Sequence, residues 1–236
     1  MIGTEIFRRR LMAGNLGDSG YIVATYNITD VSSPTQILGI SYTNDEYDLS
    51  QIKRIQIDGV SVTPSHWYQF ATTGLHTVVL TMSRMFTDME ILFMGCKELD
   101  TVDLRNVDTS KVTKMIAPFS GKSTADRVNL REIIGLESIS YKNVESMQGF
   151  LGWCYVTSLN FGKQDLSSVT NMTGLVQGAQ QIETLTVLGP VNVEADVTDM
   201  FRFVKTNGTF YYNPAYDYSH IIAQLPSTWT AVAINS

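Results

Sequence analysis

The sequence has few of the residues that usually mark a reaction centre or a disulfide framework. Its 236 residues include two cysteines and three histidines. Cys96 and Cys154 lie far apart in the sequence, which fits neither a CxxC motif nor the usual spacing of zinc ligands. We interpret both cysteines as small buried hydrophobic residues, with a disulfide as the alternative. No catalytic residue, metal or cofactor is expected.

Clustered positive charge is also scarce. The chain has 17 Lys and Arg residues against 23 Asp and Glu residues, for a formal net charge of −6. Because nucleic-acid binding draws its affinity from clustered Lys and Arg, the composition argues against a nucleic-acid partner. The one basic run is Arg8-Arg9-Arg10, near the N-terminus.

Long apolar runs are missing as well. No stretch of about 18 apolar residues occurs, so no membrane-spanning helix is predicted. The residues after the three arginines lack the apolar segment of a secretory signal, and we expect none. Residues 1–20 are rich in turn-forming residues and are interpreted as an N-terminal arm.

In contrast to these absences, the sequence contains an internal repeat. The tetrapeptide Val112-Thr-Lys-Met115 returns as Val144-Glu-Ser-Met147, Val169-Thr-Asn-Met172 and Val197-Thr-Asp-Met200, at intervals of 32, 25 and 28 residues. Repeats of roughly 20–50 residues are typical of stacked solenoids. Such proteins usually bind through an extended surface, so the repeat says more about architecture than about the ligand.

Each repeat shows two hydrophobic patterns in succession. Apolar residues at intervals of three and four between residues 85 and 96 predict a short helix, and the alternation in residues 99–104 predicts a strand. The same pair of patterns recurs in residues 147–161 and 172–187. Each unit is therefore predicted to be a short helix followed by a strand.

The region before the repeats is rich in short β-prone runs. These runs cover residues 21–27, 36–42, 52–57, 60–62 and 76–82, with turn-forming clusters between them. Asp58-Gly59 lies between two runs and predicts a hairpin. We expect a small β-sandwich-like domain here.

The repeats resemble a known family. Residues 96–115 and Asp165-Leu-Ser-Ser-Val-Thr-Asn-Met172 are similar to the BspA-like leucine-rich repeats, whose units contain Leu-Asp-Leu and Asp-Thr-Ser-x-Val-x-x-Met. The resemblance covers roughly residues 83–236 and departs from the family in residues 120–127 and 189–196. It implies a right-handed solenoid of short helices and strands, used for adhesion or recognition at bacterial surfaces and also encoded by phages.

Together these patterns predict an α+β chain in which a small β-sandwich-like domain precedes a leucine-rich-repeat solenoid of short helices and strands. The expected divisions are an arm at residues 1–20, a β-rich domain at 21–82, the repeats at 83–205 and a C-terminal cap at 206–236. A terminal unit has to cover the open end of the core, which is why the tail is interpreted as a cap.

Two groups of residues are candidates for partner binding. Arg8, Arg9 and Arg10 would attach the arm to carboxylates of another protein. An aromatic cluster near the C-terminus has two readings: it fills the core of the cap, or it forms a recognition surface for sugars or proteins. Its members are Tyr211, Tyr212, Tyr216, Tyr218 and Trp229.

The resulting hypothesis is a non-enzymatic binding or structural protein. We expect a phage virion surface component of the fibre or decoration type, which forms homo-oligomers, contacts other virion proteins through its arm and presents the repeats to a host glycan or protein receptor. The alternative is a bacterial cell-surface adhesin of the BspA-like type. A glycan hydrolase would need two carboxylates facing each other across a cleft, and no spacing singles out such a pair.

The arm hypothesis makes a direct prediction. Deleting residues 2–12 should abolish incorporation into virus particles, because the arginines would order the arm by pairing with carboxylates on a partner. Mass spectrometry of purified particles measures the outcome. Normal incorporation of the truncated chain would defeat the anchor role, and recovery of the intact chain only in bacterial outer-membrane fractions would favour the adhesin.

Overall fold

The computed structural model describes residues 19–235, so the arm and its three arginines lie outside the described residues. The described chain contains one short helix, α1 (Ser219–Ile222), and a 3-10 turn at Leu49–Gln51. Its strands are β1 (Tyr21–Ile28), β2 (Thr35–Gln36), β3 (Ile52–Ile57), β4 (Val60–Val62), β5 (Trp67–Tyr68), β6 (Gly74–Met82), β7 (Leu99–Asp103), β8 (Glu132–Ile134), β9 (Ser158–Asn160), β10 (Thr184–Val187), β11 (Thr209–Tyr212) and β12 (Thr230–Ala233).

The predicted α+β class is wrong, because the chain is nearly all β and forms a β-solenoid rather than a leucine-rich-repeat solenoid of short helices. The repeats instead stack five short turn segments, at residues 89–95, 115–121, 147–153, 172–178 and 197–203. A left-handed residue recurs within them, for example Ile91 (φ 56°), Ala117 (φ 48°) and Gly149 (φ 60°). A right-handed helix does not continue through such residues, although the apolar spacing of three and four is kept.

The turn segments are joined by a regular ladder of backbone hydrogen bonds. The N–H groups of Met89, Ile91, Phe93 and Gly95 donate to the carbonyls of Lys114, Ile116, Pro118 and Ser120 at 2.8–3.0 Å. The same four-bond pattern recurs at each of the next three boundaries between segments. Most of the intervening N–H groups bond locally, as in Leu92 N–H to the Met89 carbonyl and Glu90 N–H to Asp88 Oδ1. Alternate amides therefore hold the segment closed and bind it to its neighbour.

The ladder also corrects the alignment of the fourth tetrapeptide. Parallel bridges join Asn171 to Ser146 on one side and to Asp196 on the other. Val197 therefore occupies the position of Met172, and Met200 the position of Leu175. The prediction that Met200 is equivalent to Met172 was wrong by three residues, because the sequence before Val197 lacks the usual Asp-Thr-Ser that fixes the register.

On another face of the solenoid, the strands that follow the turn segments form a parallel sheet. Its order is β12-β11-β10-β9, and Leu159, Leu185 and Phe210 are direct neighbours in it. All three side chains are fully buried, as is Leu104 directly after β7. These four residues belong to one core, although Leu104 follows its strand rather than lying within it. Burial of one apolar side chain above the next explains why this position is apolar in every repeat.

The N-terminal strands extend the solenoid instead of forming a sandwich of their own. They join a six-stranded sheet of order β4-β3-β6-β1-β7-β8, in which β1 pairs antiparallel with β6 and with β7 of the first repeat. The predicted Asp58-Gly59 hairpin is confirmed: β3 and β4 are antiparallel, and both turn residues have positive φ, at 49° and 84°.

Segments outside the repeats cover both ends of the core. At the first turn segment, the Gly39 N–H donates to the Leu92 carbonyl and the Tyr47 hydroxyl donates to the Asp88 carbonyl, each at 2.9 Å. At the last repeat, α1 and β12 follow β11, and Tyr218 and Trp229 are buried there. A short helix and a closing strand thus occupy the tail.

We predict that Leu159→Ala lowers the free energy of unfolding by about 2–5 kcal/mol, because it leaves a cavity in the middle of the stacked core. Ser158→Ala is the matched control: it removes an exposed neighbour on the same strand and should cost under about 1 kcal/mol. Denaturant titration measures both values. Equal, small losses would contradict the core position of Leu159.

Candidate recognition groove

A shallow groove runs across the turn segments, and we call it the turn-face groove. Its volume is about 310 Å³, and it extends from Ile91 in the first segment to Asp199 in the fifth. Ala117, Gly149 and Gly174 line it between these ends. Because neighbouring strands of a sheet lie about 4.8 Å apart, four steps along the stack give a groove roughly 19 Å long.

Small residues make the groove because of the backbone conformation beneath it. Gly149 and Gly174 are in the left-handed region, at φ 60° and 61°, where glycine carries no Cβ penalty. A Cβ on Gly149 would meet only the Ala117 Cβ, at 3.9 Å. The ladder that requires these conformations thus also keeps the middle of the groove free of bulky side chains.

Two aromatic residues line the groove. Tyr42, on the loop before the 3-10 turn, is 61% exposed, and its hydroxyl donates to the Gly121 carbonyl at 3.4 Å. Trp153 closes the third turn segment, with its ring 6.0 Å from that of Phe203. The Arg127 guanidinium lies over the Trp153 ring at 5.5 Å and donates to the Gly178 carbonyl. The indole is therefore held in place by several contacts.

Polar side chains lie in the far half of the groove. Gln148 and Gln177 line it, and within residues 19–235 their side-chain amides make no hydrogen bond. Asp199 contributes the one charged side chain among the lining residues, and it is paired with Arg202 at 3.0 Å. The near half is apolar, with Ile91, Met94 and Ile116. The groove thus offers unused amide donors and acceptors beside aromatic surface, with little net charge.

The two cysteines, His66 and His76 lie in separate places in the described part of the chain. Both cysteines are free and buried, and burial raises the pKa of each thiol to about 12, so neither is a thiolate at neutral pH. His66 binds the Tyr47 carbonyl, and His76 binds Asp58, in different parts of the N-terminal region. No group of three potential metal ligands occurs among residues 19–235.

The recurrent aspartates have structural partners. Asp108 and Asp165 each accept a hydrogen bond from the backbone N–H two residues later, at 2.9 Å, and Asp103 accepts one from Arg105 in the same way. Such bonds close local turns, and the bonds to Ser110 lower the pKa of Asp108.

The predicted C-terminal aromatics are divided by burial. Tyr218 is 2% exposed and donates to the Gly189 carbonyl, while Trp229 is 7% exposed and donates from its indole N–H to the Lys205 carbonyl. Tyr211 and Tyr212 on β11 are half-buried, and Tyr216 is 44% exposed. Tyr218 and Trp229 therefore belong to the core of the cap, and none of the five residues lines the groove.

The residues that line the groove were not predicted from the sequence. Tyr42 lies about fifty residues before the first turn segment, and Trp153 is separated from Gln177 by an intervening strand. Their proximity depends on the register of the stack. One signal was available: the position held by Trp153 is glycine or another aromatic in the neighbouring segments, at Gly178 and Phe203.

The comparisons with known proteins concern mainly the repeats. Residues 81–188 match the model of a family described as "Mycoplasma protein of unknown function, DUF285". That family is associated with BspA-like repeat proteins, whereas no BspA-like or leucine-rich-repeat model matches directly. The comparisons with curated proteins and with solved structures found no match. Across residues 19–235, no helix has the length and apolar character needed to cross a bilayer.

We predict that Gly178→Ala disturbs the wall of the groove. The new Cβ would lie 2.4 Å from the Trp153 ring at a backbone φ of +74°, so both a clash and left-handed strain arise. We expect a loss of roughly 2–4 kcal/mol in the free energy of unfolding and a changed near-ultraviolet circular dichroism spectrum.

Gly149→Ala is the matched control for this prediction. Its φ of +60° imposes the same kind of backbone strain, but the nearest atom to its Cβ is 3.9 Å away. It should cost about 1 kcal/mol and leave the aromatic spectrum unchanged. Equal effects of the two substitutions would mean that Trp153 does not pack over Gly178.

Proposed function

We propose that the chain is a non-enzymatic recognition protein that binds a neutral glycan along the turn-face groove. The observation that carries the proposal is the pairing of Tyr42 and Trp153 with the unused amides of Gln148 and Gln177 in one elongated groove. Aromatic rings stack on the apolar faces of sugars, while amides serve as both donors and acceptors for hydroxyl groups.

Charge and shape narrow the class of ligand. Among residues 19–235, no Lys or Arg lines the groove, so the described lining has no cation to attract a carboxylate or a phosphate. Its one acidic residue, Asp199, is paired with Arg202. The groove crosses all five turn segments, and similar backbone surfaces recur along it. A linear polymer of similar units fits such a surface better than a compact molecule does.

The proposal includes display at a surface. We propose that the repeats are diverged BspA-like units and that the chain is a fibre or decoration component of a phage particle, assembled as a homo-oligomer through its N-terminal arm. A bacterial cell-surface adhesin is the alternative. The similarity of residues 81–188 to a family associated with BspA-like repeats supports both settings equally.

We expect the chain to bind one class of neutral oligosaccharide on a glycan array, and Tyr42→Ala and Gln177→Ala each to weaken binding by about tenfold. The reason is the loss of one stacked ring or of the hydrogen bonds of one amide, each of which is worth about 1–2 kcal/mol. Calorimetric titration of the purified oligosaccharide measures the effect.

Tyr216→Ala is the matched control, because this tyrosine is also exposed but lies in the cap, away from the groove. Unchanged affinity in this variant supports the groove. A loss in Tyr216→Ala with none in Tyr42→Ala would place recognition in the cap instead. Binding of a peptide library in place of all glycans would overturn the ligand class.

A further inference from the structure

A second cavity lies where the first repeats enter their strands, and we call it the edge cleft. Its volume is about 420 Å³, within the range of small-molecule sites. It lies between the end of β1, the start of β7 and the segments that lead into β8 and β9. The side chains that matter most are those of Asn27, Glu98, Asp100, Asn129, Arg131 and Tyr155.

The edge cleft differs from the turn-face groove in its chemistry. It has two carboxylates and one guanidinium, and its only aromatic residue is Tyr155, which is 39% exposed. Asn27 and Asn129 add side-chain amides that make no hydrogen bond within residues 19–235. The cleft is therefore a polar site with an excess of negative charge.

Asp100 is the most constrained of the charged groups. The residue is 7% exposed, and one of its carboxylate oxygens, Oδ1, accepts from Arg131 Nε at 2.7 Å and also from Arg131 Nη2. No group in residues 19–235 donates to the other oxygen, Oδ2. Oδ2 is not among the fully buried atoms that lack a partner, so it is open to the cleft and can accept from a ligand that supplies a donor.

Glu98 adds a second incompletely satisfied carboxylate to the cleft. Its Oε1 accepts one long hydrogen bond of 3.4 Å from the Thr29 hydroxyl, and its Oε2 is buried without a partner. Arg131 balances one of the two negative charges and is already committed to Asp100. The two carboxylates of the cleft therefore lack positively charged N–H donors.

We propose that the edge cleft binds a primary ammonium group of a small molecule. The ammonium would donate to Asp100 Oδ2 and, after a small rearrangement, to Glu98, since charge-assisted hydrogen bonds of this kind are among the strongest in proteins. Tyr155, whose ring already has the Arg127 guanidinium 5.8 Å from its centroid, adds an aromatic wall against the rest of the ligand. The amides of Asn27 and Asn129 suit hydroxyl groups on the rest of the ligand.

Two sources of this chemistry fit the cleft, an amino sugar and a linear polyamine. Calorimetric titrations of the full chain with glucosamine and with putrescine distinguish them, and N-acetylglucosamine serves as the uncharged comparison. We expect saturable binding of at least one amine and binding of N-acetylglucosamine at least about tenfold weaker, because acetylation removes the charge that the carboxylates recognise. The tighter of the two amines identifies the source.

Substitutions locate the binding to this cleft. Glu98→Gln and Asp100→Asn should each weaken amine binding by about tenfold or more, because each removes one charge from the site. Glu132→Gln is the matched control, since it removes an exposed carboxylate from β8 outside the cleft. Tyr155→Ala is a further variant that leaves the Asp100–Arg131 pair intact. Circular dichroism establishes that each variant is folded.

Each outcome of these titrations either supports or overturns the proposed amine site. Loss of amine binding in Glu98→Gln or Tyr155→Ala, with Glu132→Gln unchanged, supports the site. Absence of saturable binding of both amines, equal binding of N-acetylglucosamine, or an equal loss in Glu132→Gln overturns it. Tyr42→Ala should leave amine binding unchanged, so the result is independent of whether the turn-face groove binds a glycan.

Discussion

The backbone ladder between turn segments is the constraint on which the rest of the structure depends. At each boundary four alternate N–H groups donate to the next segment, while the amides between them close the segment itself. The third residue of each segment is left-handed, as at Ile91, Ala117 and Gly149. The stacked turns keep the groove shallow and set the distance between neighbouring side chains. The same ladder therefore positions both the core and the turn-face groove.

The sequence predicted the stacked architecture and most of the strands, but it misidentified the segments between them. The alternation assigned to residues 99–104 and the β-prone run at 52–57 both indicated strands, and both segments are strands. Apolar spacing of three and four in residues 85–96 indicated a helix. That spacing also arises when right- and left-handed residues alternate in tight turns. Ile91 is left-handed at φ 56°, but because it is not glycine, the sequence did not indicate this conformation.

The functional surfaces were less predictable than the core. A core position repeats within each unit, so Leu159 and Leu185 were recognisable from sequence alone. The groove and the cleft each combine residues from several repeats with two from the N-terminal region, which are Ser41 and Tyr42 in the groove and Asn27 and Thr29 in the cleft. Which side chains meet in these sites depends on strand register. The register that the sequence predicted for the last repeat was wrong by three residues. The prominent aromatic cluster near the C-terminus drew attention because of its composition, yet Tyr218 and Trp229 stabilise the cap.

The two ends of the ladder differ in whether their backbone groups are hydrogen-bonded, and this difference limits how copies of the chain can associate. At the first segment, carbonyls that face outward accept from Gly39, Ile40 and Tyr47. At the last segment, the backbone N–H groups of Val197, Asp199, Phe201 and Phe203 have no acceptor among residues 19–235. If the last segments of two copies met, both would present N–H donors, so they do not pair with each other. The acceptor end is already covered, so one copy does not extend the ladder of the next, which protects a stacked fold against open-ended association.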